Sequence, residues 1–211
     1  MNKWIAVTFL ITALTSTVAL ADDVEAGDFM IRGRALGVVP QESSTVNIGG
    51  FVGGEAKVDN SVVPEVDFTY FFTPNIAVEA IAAITPHKVK AVNTAAGPEV
   101  DIGKAWLLPP TVTLQYHFTQ FQSFKPYLGA GINYTHFFNE KPGALSSVTY
   151  EDSWGGALQA GVDIHLQDHW YLNADVKKVF INTKAEFNGG AVQGDVDIDP
   201  WLVGVGLAYR F

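Results

Sequence analysis

Charged side chains recur at alternate positions within otherwise apolar segments of this chain. Arg32 and Arg34 show this spacing in FMIRGRAL, and Glu65 and Asp67 show it in PEVDF. Alternate residues of a β-strand point to the same face, and charges enclosed by apolar surroundings are costly unless they pair. The spacing therefore predicts an internal ion-pair cluster, which we call the polar plug. Its predicted members are Arg32, Arg34, Glu65, Asp67, Glu79, Asp175, Lys177 and Arg210. The functional alternative for the same residues is a proton relay or a selectivity filter.

The composition limits the class of protein that could contain such a cluster. The 211 residues are 48% hydrophobic, which excludes a disordered chain, and they include no cysteine, so no disulfide can stabilise the fold. The formal net charge of −9 argues against nucleic acid as a partner. It does not argue against a membrane, because a total charge says little about where the charges lie.

The N-terminus resembles a secretory signal peptide. Lys3 supplies a positive charge, the residues from Ile5 to Leu14 form an apolar core, and Ala19-Leu20-Ala21 offers a small-residue cleavage site. We therefore predict a signal peptide over residues 1–21 and a barrel domain over residues 22–211; the alternative is an uncleaved anchor. Beyond the leader, no stretch of 18 apolar residues occurs, which excludes a helical membrane span.

Eight segments alternate between an apolar face and a face that carries most of the charges, the pattern of half-buried β-strands. They cover residues 28–40, 64–73, 76–84, 111–118, 127–137, 153–165, 170–181 and 201–211. The connections alternate in length. Residues 73–75, 119–124 and 167–169 are short turns, whereas residues 41–63, 86–105, 139–150 and 184–195 are long. Residues 91–105 and 184–195 are rich in Ala, Gly and Asn, which favours flexible loops.

An even number of strands, short turns on one side and long loops on the other indicate a transmembrane barrel. We predict an all-β fold, an eight-stranded antiparallel β-barrel with short periplasmic turns and long extracellular loops. Aromatic residues near the segment ends, such as Tyr70, Tyr116 and Trp170, suit the headgroup region. The chain ends on Phe211, and a closed barrel would pair this last strand with the first. A soluble lipocalin-like barrel, with its apolar face inside, is the alternative.

Six blocks of the sequence resemble the OmpW family of small outer-membrane β-barrels. They are GDFMIRGRALGVVP, NIAVEAIAAITPHK, LPPT, FKPYLGAGINYTHFF, EDSWGGALQAGVD and DPWLVGVGLAYRF, in that order along the chain. The resemblance implies a Gram-negative outer membrane and an apolar channel in the outward half of the barrel, proposed to pass small hydrophobic molecules. It also implies insertion into outer-membrane lipid by the barrel-assembly machinery, with Tyr209 and Phe211 as the assembly signal.

The residues on the inward faces differ between the two ends of the predicted barrel. Charged residues lie toward the periplasm, whereas the residues toward the outside are apolar: Leu36, Val38, Ile81, Ala83, Leu107, Phe137, Val179, Ile181 and Ile198. An eight-stranded barrel is just wide enough for its own side chains, so the charged half cannot be an open pore. We expect the apolar half to bind a small hydrophobic solute that leaves sideways between strands. The alternative is that these residues only pack the barrel top or support the loops.

Neither a metal site nor an active site is predicted. His165 and His169 are four residues apart, a spacing that shares a face only on a helix, and a turn separates them here. Ser146, Ser147, Glu151 and Asp152 are candidates for a barrel enzyme by their position near the rim alone. We therefore expect a monomeric channel without catalysis, cofactor or nucleic-acid partner. The main rival is a structural or surface-interaction barrel with no transport role.

Overall fold

The computed structural model of the chain describes residues 23–41, 46–48, 51–94, 97–121, 123–144, 147–187, 189 and 192–211. The predicted signal peptide and Ser146 lie outside these residues. The described residues form fifteen β-strands and no helix long and apolar enough to cross a membrane. The strands are β1 (Phe29–Val39), β2 (Val46–Ile48), β3 (Phe51–Val58), β4 (Ser61–Phe71), β5 (Ile76–Ala83), β6 (Thr85–Thr94), β7 (Gly97–Leu108), β8 (Thr111–His117), β9 (Phe124–Pro142), β10 (Val148–Tyr150), β11 (Ser153–Gln167), β12 (Trp170–Val179), β13 (Asn182–Phe187), β14 (Val192–Asp197) and β15 (Trp201–Arg210).

Eight of these strands close into an antiparallel barrel, which confirms the predicted fold. Their order around the barrel is β1, β4, β5, β8, β9, β11, β12 and β15, and β15 pairs again with β1 from Met30–Arg210 to Val39–Trp201. The backbone N–H of Phe211 donates to the carbonyl oxygen of Phe29 at 2.8 Å. The last residue is therefore held by the first strand, because a closed barrel has no free edge.

The two faces of each barrel strand have opposite chemistry. Outward residues such as Phe68, Leu114 and Val205 are about half exposed, whereas inward residues such as Asp67 and Gln115 are almost completely buried. Aromatic rings cluster on the outside at both ends. Tyr209 contacts Trp170 and Phe211 at the periplasmic end, and Trp106–Phe138 and Tyr134–Trp154 are in contact toward the extracellular end. This is the arrangement of a barrel that faces lipid.

Where the structure describes the long connections, they form β-strands and not the flexible loops that their composition predicts. Strands β6 and β7 form a hairpin, β7 pairs with the upper part of β9, and β3 pairs with β6. Strands β10, β13 and β14 form a second small sheet. For the described residues of 91–105 and 184–195, the prediction of loops was wrong because the inward–outward alternation continues above the membrane: Ile102 and Ala185 belong to one apolar cluster, and Val89 packs against it. We call this β-structure the extracellular extension.

Candidate solute-binding lumen

The polar plug is built by strand register in the periplasmic half of the barrel. Arg32 and Arg34 on β1 lie directly opposite Asp67 and Glu65 on β4, and Glu79 on β5 lies opposite Thr69. All of these side chains are buried. Because paired residues on neighbouring antiparallel strands share a face, the register alone brings two arginines and three carboxylates together inside the barrel.

Arg32 is the cation of the plug that lies nearest the periplasm. Its guanidinium contacts Asp67 at 3.0 Å, Asp163 at 2.9 Å and Glu79 at 3.4 Å, and it also donates to the hydroxyl of Thr69. Asp163 lies on β11, across the lumen from β1. Arg32 therefore links opposite walls of the barrel, and its planar guanidinium can do so because it has five donors in a fixed geometry.

Arg34 and Lys177 form the upper layer of the plug. Arg34 contacts Glu65 at 2.7 Å and Glu79 at 3.0 Å, and Lys177 contacts Glu65 and Asp175, each at 2.9 Å. Three cations thus meet five carboxylates, so some carboxylate oxygens need neutral donors. Such buried groups are tolerated only when their hydrogen bonds are made.

Neutral side chains supply those donors. Gln159 donates to Glu79 at 2.7 Å and to Asp175 at 2.8 Å, and Gln115 donates to Glu79 at 2.9 Å. The hydroxyl of Tyr127 donates to Asp175 at 2.8 Å, and its ring occupies the space that a Cβ on Gly161 would need. The predicted plug did not include Asp163, Gln115 or Gln159.

Arg210 does not join this cluster. It lies opposite Met30, at the periplasmic end of β1, and its guanidinium is 3.5 Å from the carboxylate of Asp28 and 5.7 Å from the ring centroid of Tyr171. Arg32 is one inward position further up the strand. The predicted grouping of Arg210 with the plug is therefore wrong: Arg210 faces inward at the periplasmic end as predicted, but its carboxylate partner is Asp28, below the plug.

Above the plug, the lumen contains an apolar inner chamber. Its cavity volume is about 40 Å³. Glu65 and Lys177 form its floor. Its apolar lining includes eight of the nine residues predicted for the upper lumen: Leu36, Val38, Ile81, Ala83, Val179, Ile181, Leu107 and Ile198. Above the floor, a hydrophobic molecule would therefore meet mainly aliphatic side chains, beside the polar groups of Thr85, His87, Thr111 and Asn133.

An outer chamber with a cavity volume of about 30 Å³ follows within the extracellular extension. Phe137 lines this chamber rather than the inner one. Leu107, Ile198 and His87 line both, so the two chambers are neighbours. Six further lining residues come from segments that were predicted as loops: Val58, Val89, Ile102, Ala105, Tyr150 and Ala185.

Comparisons with known proteins place this geometry in a family. The sequence profile described as the OmpW family matches residues 25–211. The chain belongs to the OmpW family. It is 39% identical to outer membrane protein W of Escherichia coli over the full length of both chains. It is 29% identical to the dibenzothiophene metabolism operon protein PahQ of Pseudomonas aeruginosa, over 75% of this chain and 76% of that one.

A solved structure shows the same architecture. The crystal structure of the outer membrane protein OprG from Pseudomonas aeruginosa superposes with a TM-score of 0.82 at 35% identity, and it covers 90% of this chain and 99% of that one. The predicted bacterial outer-membrane location is confirmed by these relatives, since they are named as outer-membrane proteins. The polar plug and the two chambers are thus features of an OmpW-family barrel in that membrane.

His87 is the polar group at the junction of the two chambers of this OmpW-family barrel. Its Nδ1 is 3.4 Å from the backbone carbonyl oxygen of Asp59, and the side chain is buried. Burial lowers the pKa of His87 below its ordinary value, because the charged imidazolium loses its hydration there. The imidazole is therefore neutral at neutral pH and leaves the chambers uncharged at this point.

The rim shows no assembled active site among the residues that the structure describes. Asp152 accepts hydrogen bonds from Tyr134 at 2.5 Å and from His136 at 2.9 Å, and these bonds lower the pKa of its carboxyl group. Ser147 accepts a hydrogen bond from the backbone N–H of Gly189 instead. Within the described residues, no group of three His, Cys, Asp or Glu side chains could hold a metal ion.

Proposed function

We propose that this barrel conducts small hydrophobic molecules from the outside into the outer membrane. The observation that carries the proposal is the sequence of two adjoining apolar chambers, closed below by the polar plug. A lumen that only faced water would have no need of so many aliphatic side chains. The name of the relative PahQ, from an operon for dibenzothiophene metabolism, agrees with an apolar aromatic cargo.

A solute in the inner chamber cannot continue toward the periplasm along the axis. Lys177 and Glu65 close the floor, and the ion pairs of Arg32 and Arg34 fill the lumen beneath them. Moving an apolar molecule through this layer would break several buried ion pairs, each of which is costly to leave unpaired. Release into the bilayer through the wall avoids that cost.

The wall has a seam beside the inner chamber where such a release can occur. β5 pairs with β8 as far as Ile81–Thr111, and pairing resumes between β6 and β7 at Thr85–Leu107. Between these two pairs lie Pro109 and Pro110, which have no N–H to donate. Ala83 and Pro109 line the chamber at this point. Opening the seam therefore breaks fewer backbone hydrogen bonds than opening a fully paired position of the wall.

Placing a charge in the inner chamber tests the proposal. Ile81→Asp should abolish uptake of a hydrophobic solute such as dibenzothiophene into liposomes that contain the protein, because the new carboxylate would face the apolar lining. Asn139→Asp is the control, since Asn139 is exposed outside both chambers and already has a positive φ that Asp tolerates. Undiminished uptake by a folded Ile81→Asp variant would contradict transport and favour a structural or surface-interaction barrel.

A reversible cross-link tests the seam separately. The chain has no cysteine, so the pair Ala83→Cys and Pro109→Cys introduces the only thiols. The pairs on either side of the seam, Ile81–Thr111 and Thr85–Leu107, have the same register. Continued across the seam, this register places position 83 opposite position 109. Oxidation should block uptake and reduction should restore it. The control is a cysteine pair at Val176 and Val203, which are opposite each other in a fully paired region. Oxidation of this pair should leave uptake unchanged.

A further inference from the structure

Three lysines form a row across the outside of the extracellular extension. Lys88 on β6 lies directly opposite Lys104 on β7, and Lys104 lies directly opposite Lys141 on β9. All three side chains are exposed. Because directly opposite residues of antiparallel strands project from the same face, the three ammonium groups share one surface, which we call the lysine row.

The lysine row lies immediately above the aromatic girdle of the barrel. Trp106 and Phe138 are opposite each other on the same face, with ring centroids 6.0 Å apart, and Trp106 is two residues below Lys104. Two residues of a strand span about 7 Å. Aromatic girdles mark the boundary between hydrocarbon and headgroups, so the row lies at the height of the headgroups of the outer leaflet.

The row is electrostatically unfavourable in the protein alone. Like charges directly opposite on neighbouring strands repel each other and destabilise the sheet. The nearby acids are Glu99, which pairs with Lys90 at 2.7 Å, Asp101, which lies opposite Lys90, and Asp59, whose backbone N–H donates to the carbonyl oxygen of Lys88 at 3.4 Å. Among the side chains that the structure describes, no carboxylate lies within ion-pair distance of Lys88, Lys104 or Lys141. This concentration of positive charge stands out in a chain of net charge −9.

We propose that the lysine row binds the phosphate groups of a phosphorylated lipid in the outer leaflet. Three adjacent ammonium groups match a multiply charged headgroup, and each lysine near a membrane surface favours an anionic lipid. The acyl chains of the same molecule would lie along Trp106 and Phe138, below the row. Continuity with the girdle favours a membrane lipid over a free anion, because only a lipid satisfies both surfaces at once. The site is on the outer wall and is independent of the chambers.

Binding of lipid A, a glycolipid with two phosphate groups, tests this assignment. The purified protein in a nonionic detergent is titrated with lipid A, with dephosphorylated lipid A and with inorganic phosphate, and the bound fraction is measured by native mass spectrometry. We expect lipid A to bind most tightly. K104Q should weaken its binding about fivefold and K104Q/K141Q about 25-fold, at roughly fivefold per lysine removed. K104R should retain the affinity, because it retains the charge.

The controls separate loss of the site from loss of the fold. K184Q removes one exposed lysine from β13 and should bind lipid A as the wild type does. Without lipid, K104Q should be at least as heat-stable as the wild type, since it relieves the repulsion within the row. Equal lipid A affinity of K104Q/K141Q and the wild type would overturn the proposal, as would equal affinity for the dephosphorylated lipid. Competition by inorganic phosphate at the same concentration as lipid A would also overturn it, in favour of a free-anion site.

Discussion

The two halves of the lumen are lined by the same strands. On β1, β5 and β12, the change from charged to apolar occurs between two consecutive inward residues. On β1 the inward residue changes from Arg34 to Leu36, and on β5 it changes from Glu79 to Ile81. On β12 it changes from Lys177 to Val179. The boundary between the polar plug and the inner chamber is therefore a nearly level plane across the barrel. Its height is set by side-chain identity, because the backbone continues through it unchanged.

The length and pairing of the inward side chains explain why one half of the lumen is closed and the other is hollow. Long charged side chains from opposite walls reach each other, as Arg32 reaches Asp163, and their ion pairs hold them across the axis. Aliphatic side chains are shorter and have no bond to make across the lumen. An eight-stranded barrel therefore fills where its inward residues are long and paired, and it leaves space where they are short and apolar.

The largest expected effect is the loss of one cation from the polar plug. Arg34→Met should lower the free energy of unfolding by about 3–5 kcal/mol, because Glu65 and Glu79 lose a buried partner. Urea unfolding in lipid vesicles measures this. Arg210→Met is the matched control, since Arg210 also faces inward but has one carboxylate at 3.5 Å. If both variants lost equally little stability, the plug would not be the stabilising half of the lumen.

Filling the inner chamber should change function with little change in stability. Ala83→Leu adds side-chain volume where space exists, so we expect the affinity for a hydrophobic solute to fall at least about tenfold, while the free energy of unfolding changes by less than about 1.5 kcal/mol. Fluorescence titration with an apolar dye measures the affinity. Ala82→Leu is the control, because Ala82 is exposed on the outer wall. A large stability loss for Ala83→Leu would mean that the chamber is packed.

Acid should weaken solute binding through His87. Burial already lowers its pKa, so the imidazole is neutral at neutral pH and becomes charged only as the pH falls below the usual histidine range. A bound apolar solute would remove more water and lower the pKa further. If solute binding lowers the pKa of His87 by a further half unit, the affinity at pH values below that pKa is about threefold weaker than at neutral pH. The affinity should therefore fall as the pH is lowered, never as it is raised.

A histidine-free variant isolates this effect. Other titratable groups lie close by: the exposed carboxyl of Asp59 beside His87, and the pair Glu65–Lys177 at the floor of the inner chamber. His87→Phe leaves those groups in place and should make the affinity independent of pH between neutral and mildly acidic conditions. If the His87→Phe variant kept the pH dependence of the wild type, the effect would come from Glu65 and Lys177 at the chamber floor instead.

The strands of the barrel were predictable because a membrane imposes a strict alternation on them. Each of the eight segments has one face for lipid, and a shift by one residue would expose charges such as Arg32 to hydrocarbon. The members of the plug on β1, β4 and β5 were predictable for the same reason. The inward faces followed from the sequence, but which inward side chains meet depends on strand tilt and register, and this is why Arg210 pairs with Asp28 and not with the plug.

In the extracellular extension, composition and periodicity disagree: the composition of these segments predicts loops, whereas their periodicity indicates strands. Pro86, Lys88 and Lys90 alternate with His87 and Val89, so a two-residue period was present. The outer chamber and the lysine row both depend on pairing between β6, β7 and β9, which are distant in sequence. Alternation predicts that strands exist there, but it does not predict that Lys88, Lys104 and Lys141 share one row.

The smallest expected effect comes from an ion pair outside the lumen. Lys90 and Glu99 are 2.7 Å apart, as close as the pairs of the plug, but both side chains are open to solvent. Water and salt screen such a pair, and holding two long side chains together costs conformational entropy. Glu99→Gln should therefore leave the urea midpoint unchanged, even though it removes a contact equal in length to the Arg34–Glu65 pair. A measurable loss would show that short distance alone stabilises this protein. An unchanged midpoint, beside a large shift for Arg34→Met, would show that burial decides the contribution.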